Sequence, residues 1–253
     1  MLFRSGAGEA CGDARDPNLP WMIWYGLQAS VASDPARAFQ MLKPCQIPLI
    51  HECIGRRLVS VALEEPERSG AILGSFAGVL MASQDSIRLG VLKGMRTGLE
   101  GQVSVSAPAL WNRAYGELRS SGDPAIRDLA RAVALVLGCP VALDDMRLVV
   151  SQPDAAVESR RAAIQALATR RDAVSLDPLF KVLASDGLLR LDALKALSGW
   201  DDDRIPARVL ETWPQLDDVA RQAAFGTLLS RQRSAAALLE AVDAGRVSRS
   251  EIS

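Results

Sequence analysis

The stretch Asp123-Pro124-Ala125-Ile126-Arg127-Asp128-Leu129-Ala130 decides the fold, because a version of it returns three more times before the end of the chain. The later copies are residues 156–163 (AVESRRAA), 186–193 (DGLLRLDA) and 218–224 (DVARQAA). The arginines of the four copies follow one another at steps of 33, 30 and 31 residues, and each has an alanine three positions later. They are Arg127, Arg160, Arg190 and Arg221. A repeat of this length indicates supersecondary units that bury their apolar faces against each other.

The repeat predicts an all-α fold, a right-handed α-solenoid of about seven stacked antiparallel helix pairs. The chain is 49% hydrophobic but only 5% aromatic, and this composition suits helices that pack closely through small side chains. Asp85-Ser86-Ile87-Arg88 is a weaker copy of the same pattern, with Arg88 in the arginine position. We therefore predict a disordered lead-in over 1–15 and one solenoid over 16–253, with degenerate repeats in 16–106 and regular repeats in 107–253.

Two helices of the degenerate part carry a glycine at every fourth position. The first has Gly70, Gly74 and Gly78, and the second has Gly90, Gly94 and Gly98. This spacing aligns each set on one helix face, and the segments are too short and too charged to be a membrane seam. The pattern predicts a close helix contact, which we place between these two helices.

The pattern of Asp, hydrophobic residue, Arg and Ala resembles HEAT repeats, an armadillo-type superhelical fold. The resemblance implies that an acidic residue near each turn pairs with the arginine to link neighbouring units, and Asp123, Asp186 and Asp218 match that position. The copy around Arg160 offers only Asp154, three residues too early. We favour this structural role over a basic stripe that binds phosphates.

A closer resemblance extends over most of the chain. Residues 16–26, 47–57, 92–111 and 238–252 are similar, in this order, to the helical middle section of large planctomycete-type proteins. Those proteins are identified as membrane-bound dehydrogenases or as haem-binding CxxCH proteins, and join a β-propeller, a HEAT-like region and a cytochrome c domain. The resemblance implies a non-catalytic scaffold that orients these partner domains. It implies no cofactor in this chain, with haem c only in an absent C-terminal domain, and a periplasmic or cell-envelope location. The chain has no signal peptide of its own, which leaves the cytoplasm open.

Two groups of residues are candidates for an interaction surface. Trp21, Trp24 and Tyr25 form an aromatic cluster, which could be the core of a terminal unit or a docking surface for a neighbouring domain. Arg56 and Arg57 are a basic pair close to the chain's only histidine, and we include them in the possible surface.

Candidates for catalysis or metal binding are few. His51 could act as a general base only beside a nucleophile or substrate pocket, and no partner motif accompanies it, so we favour a structural role. Cys11, Cys45, Cys53 and Cys139 lack the spacing of a zinc site and are expected to act as small hydrophobic side chains. The turn 201–203 has three carboxylates that could bind a hard cation, but a solvated helix start is the simpler interpretation.

The charge balance bears on the choice of partner. A net charge of −1 gives no support to nucleic-acid binding, and no apolar run has the length of a membrane span. We therefore expect a protein partner, no nucleic acid and no membrane insertion. The alternatives to the redox scaffold are a general protein-binding adaptor and, less favoured, a HEAT-type nucleic-acid enzyme.

Overall fold

A computed structural model describes residues 16–106 and 108–248, and all the secondary structure in these ranges is helical. It confirms the predicted all-α class. The first seven helices are α1 (Leu19–Ser33), α2 (Pro35–Leu42), α3 (Pro48–Glu64), α4 (Pro66–Ala82), α5 (Asp85–Gly98), α6 (Leu110–Leu118) and α7 (Pro124–Val136). The other seven are α8 (Pro140–Ser151), α9 (Val157–Arg170), α10 (Leu176–Ser185), α11 (Arg190–Leu197), α12 (Arg204–Thr212), α13 (Asp218–Leu229) and α14 (Gln232–Asp243). The predicted lead-in over 1–15 lies outside the described residues.

The chain divides into two compact units, and the division falls between Ala142 and Leu143, near the start of α8. The boundary predicted between degenerate and regular repeats lies earlier, at residues 106 and 107. A single continuous solenoid over 16–253 stays a prediction.

In the first unit, each helix packs against the next helix but one in the chain. The odd-numbered helices α1, α3, α5 and α7 contact one another in succession, and so do α2, α4 and α6. Consecutive helices such as α3 and α4 also pack together, because their connections are short. Trp111 of α6 is buried and donates from its indole Nε1 to the Leu73 carbonyl of α4 at 2.8 Å, which satisfies the polar end of a large core side chain.

The second unit has the same order of contacts. Helices α9, α11 and α13 contact in succession, and α10, α12 and α14 do likewise. The repeat arginines Arg160, Arg190 and Arg221 all lie on the first of these sets, at or near the helix start. The repeat in the sequence therefore corresponds to an alternation in packing, with the arginine on every second helix.

Two helices begin at Asp-Pro pairs, as the sequence predicts. Asp34 and Asp123 each precede a proline that occupies the first helical position, where its missing N–H is not needed. The Asp34 carboxylate accepts from the Arg37 amide at 3.0 Å, and the Asp123 carboxylate accepts from the Ala125 amide at 2.8 Å. These bonds satisfy backbone donors that an open helix end would leave unpaired.

One of the two glycine sets makes the predicted close contact, but with a different helix. A Cβ atom added to Gly94 would lie 2.0 Å from the Glu52 carbonyl oxygen, and one added to Gly98 would lie 2.8 Å from the Val59 Cβ. Helix α5 therefore packs on α3, and not glycine to glycine on α4 as the sequence suggested. A Cβ atom added to Gly70 or Gly78 of α4 would meet no heavy atom within 4 Å. These two glycines therefore do not lie at a close helix contact.

Candidate interaction surfaces and repeat junctions

Several repeat arginines donate hydrogen bonds to backbone carbonyls at or just after the end of a preceding helix. Arg88 Nε donates to the Leu80 carbonyl at 2.8 Å, and its Nη2 donates to the Met81 carbonyl at 3.1 Å, both in the last turn of α4. Arg127 Nη1 donates to the Ser121 carbonyl at 2.7 Å, just after α6. The last carbonyls of a helix lack amide partners within it and carry partial negative charge, so a guanidinium is well suited to this position.

Arg160 makes the most buried of these junctions. Its side chain is 8% exposed, and Nε and Nη2 donate to the Val150 carbonyl of α8 at 3.2 and 3.1 Å. Its Nη1 forms an ion pair with the Asp186 carboxylate at 2.5 Å, and the Asp186 carboxylate also accepts from the Leu188 amide at 3.1 Å. One arginine thus connects the end of α8 with the turn before α11. The sequence offered only Asp154 for this arginine and matched Asp186 to the copy that contains Arg190.

The last two repeat arginines differ from Arg160. Arg190 Nε donates to the Leu183 carbonyl in the last turn of α10 at 3.0 Å, and Nη1 donates to the Gln215 carbonyl at 2.9 Å. Arg221 is half-buried on α13. Its helix is capped by Asp217, whose carboxylate accepts from the Ala220 amide at 2.8 Å, while Asp218, the residue in the repeat register, is exposed. Arg88, Arg160 and Arg190 have in common a hydrogen bond to a carbonyl in the last turn of a preceding helix. Arg88 and Arg160 also pair with an aspartate, Asp85 and Asp186 respectively.

Sequence reasoning missed a second junction in this unit. Arg147 of α8 forms an ion pair with Asp172 at 2.8 Å and donates from Nε to the hydroxyl of the buried Ser175 at 3.2 Å. That hydroxyl donates to the same Asp172 carboxylate at 2.9 Å, and the Trp200 indole donates to the Asp172 backbone carbonyl at 3.3 Å. Residues from three parts of the chain meet here, and no repeat spacing identifies them. The local signal is Asp172 as a helix-cap candidate, and its carboxylate accepts from the Ser175 amide at 3.2 Å at the start of the short helix 173–175.

The aromatic cluster of α1 is divided between the core and the surface. Trp24 is 5% exposed and belongs to the core of the first unit, which corrects its assignment to a possible interaction surface. Trp21 and Tyr25 are 42% and 67% exposed, and Met22 beside them is 68% exposed. Residues 21 and 25 are one turn apart and so share a helix face, whereas residue 24 lies on the buried side of the helix.

The basic pair lies at the edge of the tightest helix contact. Arg56 is exposed and Arg57 is half-buried, and Arg57 Nη1 donates to the Ser60 hydroxyl at 3.2 Å. An ion pair between Arg57 and Glu64 at 3.5 Å is also on the surface, where such pairs contribute little to stability. The pair is available to a partner mainly through Arg56.

His51 is enclosed in the first unit. Its side chain is buried, and its Nε2 lies 3.1 Å from the Leu42 carbonyl oxygen and 3.0 Å from the Cys45 carbonyl oxygen. Both partners are carbonyl oxygens, so Nε2 carries a proton and donates, while Nδ1 is buried without a hydrogen-bond partner. Burial lowers the pKa of His51 from its ordinary value of 6.5, and the two carbonyls partly oppose this shift. The ring therefore closes the turn between α2 and α3.

The three carboxylates of the turn 201–203 each face an arginine. Asp201 pairs with Arg231 at 3.3 Å, Asp202 with Arg204 at 2.9 Å and Asp203 with Arg233 at 3.2 Å. The hydrogen bond from Arg204 is the main cause that lowers the pKa of the Asp202 carboxyl. The three aspartates, Arg231 and Arg233 line an open groove of about 710 Å³ between α12 and α14. Pro206, Leu210 and Ala237 also line it. The groove offers charges of both signs.

The described residues contain few features of a metal site or a membrane span. Among residues 16–106 and 108–248, no group of three or more His, Cys, Asp or Glu side chains is arranged to hold a metal ion. Cys45, Cys53 and Cys139 are all buried, and burial raises the pKa of the Cys45 and Cys53 thiols. No helix in the described part of the chain is both long and apolar enough to cross a bilayer.

Comparison of the chain with protein-family models, with curated proteins and with solved structures found no match. The case for a function therefore depends on the residues and contacts described above.

Proposed function

We propose that this chain is a non-catalytic HEAT-like scaffold, an α-solenoid of stacked helix pairs that orients partner proteins. The observation that carries the proposal is the recurring junction in which Arg88, Arg160 and Arg190 each donate to a carbonyl in the last turn of a preceding helix. These arginines are 72 and 30 residues apart, close to two repeats and one repeat of the sequence, and this recurrence supports a modular array. Arrays of this type present extended surfaces to partners.

The second support is the position of exposed apolar side chains. Leu188 and Val219 are 73% and 62% exposed, and each lies two residues before a repeat arginine, Arg190 or Arg221. Leu188 lies two residues before α11 and Val219 is the second residue of α13, and these two helices contact each other, so we place both side chains on one edge of the second unit. Apolar side chains at equivalent positions of successive repeats are typical of a protein-binding edge.

The resemblance to dehydrogenase–cytochrome c proteins suggests the partners. We propose a β-propeller or a cytochrome c domain in the periplasm or cell envelope, with any haem c held by that domain and none by this chain. The exposed pair of Leu188 and Val219 also favours a second candidate, a general protein-binding adaptor with no redox partner.

Photo-crosslinking in the host tests both candidates. A benzophenone amino acid is placed at Leu188 or Val219, with the exposed Lys195 of α11 as the matched control position. The scaffold proposal predicts specific crosslinks from positions 188 and 219 only, to a c-type haem protein or a propeller dehydrogenase. Crosslinks to other proteins favour the adaptor.

Spectroscopy of the purified chain tests the non-catalytic role. We expect neither a Soret band nor dye-linked dehydrogenase activity. Stoichiometric haem, or the absence of crosslinks at both test positions, contradicts the proposal.

A further inference from the structure

The second unit shows how one helix pair covers the pair before it. The repeat arginines of α11 and α13 are 31 residues apart, so Leu194 of α11 is the equivalent of Phe225 of α13. Leu194 is fully buried, and the Thr227 hydroxyl of α13 lies 3.2 Å from its carbonyl oxygen. Helix α13 therefore packs on this part of α11.

The second helices of the two pairs correspond in the same way, with a step of 29 residues. Buried positions of α12 match buried positions of α14 in this register, and the matching residues are Ile205 and Ser234, Val209 and Leu238, and Thr212 and Ala241. The register makes Leu210 the equivalent of Leu239, and Trp213, directly after α12, the equivalent of Val242. Leu210 and Trp213 are only 9% and 2% exposed, and Leu210 lines the groove between α12 and α14.

The last pair, α13 and α14, has no such cover among residues 143–248. Leu229 and Leu239 are 63% and 64% exposed, while Phe225 and Val242 are half-buried. The Phe225 ring owes part of its burial to Trp213 of the preceding pair, which it meets edge-to-face at 5.0 Å between ring centroids. We call Phe225, Leu229, Leu239 and Val242 the end face. A terminal unit of a helical array ordinarily keeps its outer side polar, so exposed leucines here indicate a binding surface.

Polar side chains border the end face on both helices. Gln222 lies one turn before Phe225 on α13, and Asp243 lies one turn after Leu239 on α14, and both are exposed. An apolar centre with a polar border is typical of the surfaces through which proteins bind one another.

We propose that the end face binds a helix pair of a partner protein, stacked as α13 and α14 stack on α11 and α12. One partner helix contacts Phe225 and Leu229, and the other contacts Leu239 and Val242, each through an apolar face. The chain itself selects this occupant, because the cover on the equivalent positions of the preceding pair is a helix pair. The inference rests on the proposed scaffold function, and it names the part of the partner that the scaffold binds.

Photo-crosslinking from the end face of the full chain, carried out in the host, tests the proposal. A benzophenone amino acid replaces Leu229 or Leu239, and the matched control position is Glu240, which is exposed on the side of α14 that lines the groove with α12. We expect both end-face positions to crosslink to the same protein, and mass spectrometry to map the crosslinked residues to two consecutive helices of that protein. Position 240 should not crosslink to these helices.

A charge placed in the end face tests whether α13 and α14 form one binding surface. Leu239→Asp should reduce crosslinking from position 229 at least about tenfold, because the carboxylate loses its hydration in an apolar contact. Arg233→Gln lowers the net charge by the same amount on the groove side of α14, where Arg233 is exposed, and should leave crosslinking unchanged. Far-UV circular dichroism verifies that each variant is folded.

The outcomes separate this inference from the scaffold function. Crosslinks from positions 188 and 219 with none from 229 and 239 overturn the inference and leave the scaffold standing, whereas no crosslinks from all four positions contradict both. Crosslinks from the end face to a loop, to a strand or to a second copy of this chain overturn the inference, as does crosslinking from position 229 that Leu239→Asp does not reduce.

Discussion

The side chain of Arg160 shows how one residue can join two parts of a helical array. It neutralises the carboxyl end of α8 through the Val150 carbonyl and binds Asp186 at the turn before α11. Because the guanidinium is almost fully buried, its hydrogen-bond partners lose access to water as well. Removal of the arginine would leave the Val150 carbonyl without this donor and the Asp186 carboxylate without its cation, with only the backbone amides of Leu188 and Leu189 donating to it.

Arg160→Ala should therefore lower the free energy of unfolding of the second unit by about 3 kcal/mol, the range expected when one partner of a buried ion pair is removed. Urea unfolding followed by circular dichroism measures this change. Arg131→Ala is the control, because Arg131 pairs with Asp128 at 3.1 Å on the surface of α7, and its loss should cost about 0.5 kcal/mol. Equal effects of the two substitutions would contradict the role given to Arg160.

His51 makes stability depend on pH in a defined direction. Burial lowers its pKa below 6.5, so below about pH 6.5 the unfolded chain binds a proton that the folded chain does not. The free energy of unfolding should not depend on His51 above this pH. It should decrease as the pH falls from there towards the folded-state pKa, by at most about 1.4 kcal/mol per pH unit. His51→Gln retains a donor for the carbonyls of Leu42 and Cys45 but does not titrate. The wild type should show this loss as the pH falls below about 6.5, and the variant should not. Parallel pH profiles would refute the assignment, since His51 is the only histidine.

At the scale of the element, the close contact between α3 and α5 is possible because Gly94 has no side chain. Gly94 allows the backbones of the two helices to meet, because an added Cβ would lie 2.0 Å from the Glu52 oxygen and 2.8 Å from the Arg56 amide nitrogen. Both contacts are to backbone atoms, so no side-chain rotation could relieve them. The cost of a glycine in a helix, about 1 kcal/mol relative to alanine, is offset here by close packing.

Gly94→Ala should destabilise the first unit by about 3 kcal/mol or more, because α5 must move away from α3. Gly70→Ala is the matched control in α4, where the added methyl meets no atom within 4 Å. It should raise the free energy of unfolding by up to about 1 kcal/mol through better helix propensity. Denaturant unfolding of the two variants gives both values, and a neutral Gly94→Ala would show that the helices are farther apart than described.

Part of this element-level picture could be predicted from the sequence. The Asp-Pro starts of α2 and α7 are local signals, and both helices begin where the signals place them. The fourfold glycine spacing indicated a close contact, but the glycines of α4 have the same spacing as those of α5 and make none. Spacing identifies a face of a helix, whereas the identity of its neighbour depends on contacts between distant parts of the chain.

At the scale of the whole molecule, the chain has two compact units, each with buried apolar residues of its own. We expect a destabilising substitution to act mainly in the unit that contains it. Hydrogen exchange followed by mass spectrometry should show faster exchange in peptides before residue 142 for Gly94→Ala, and in peptides after residue 143 for Arg160→Ala. Faster exchange over the whole chain in both variants would indicate one cooperative unit instead.

The sequence by itself determined the all-α class, the starts of many helices and the positions of the repeat arginines, because these features follow from local propensity and from the spacing of residues along the chain. It also placed Trp21 and Tyr25 on one helix face. Only the tertiary structure decided that the arginines bind helix-end carbonyls, that Trp24 is buried, that α5 packs on α3 and that Arg147 meets Asp172. Those contacts join residues that are far apart in sequence, and each depends on which faces become buried when the helices pack together.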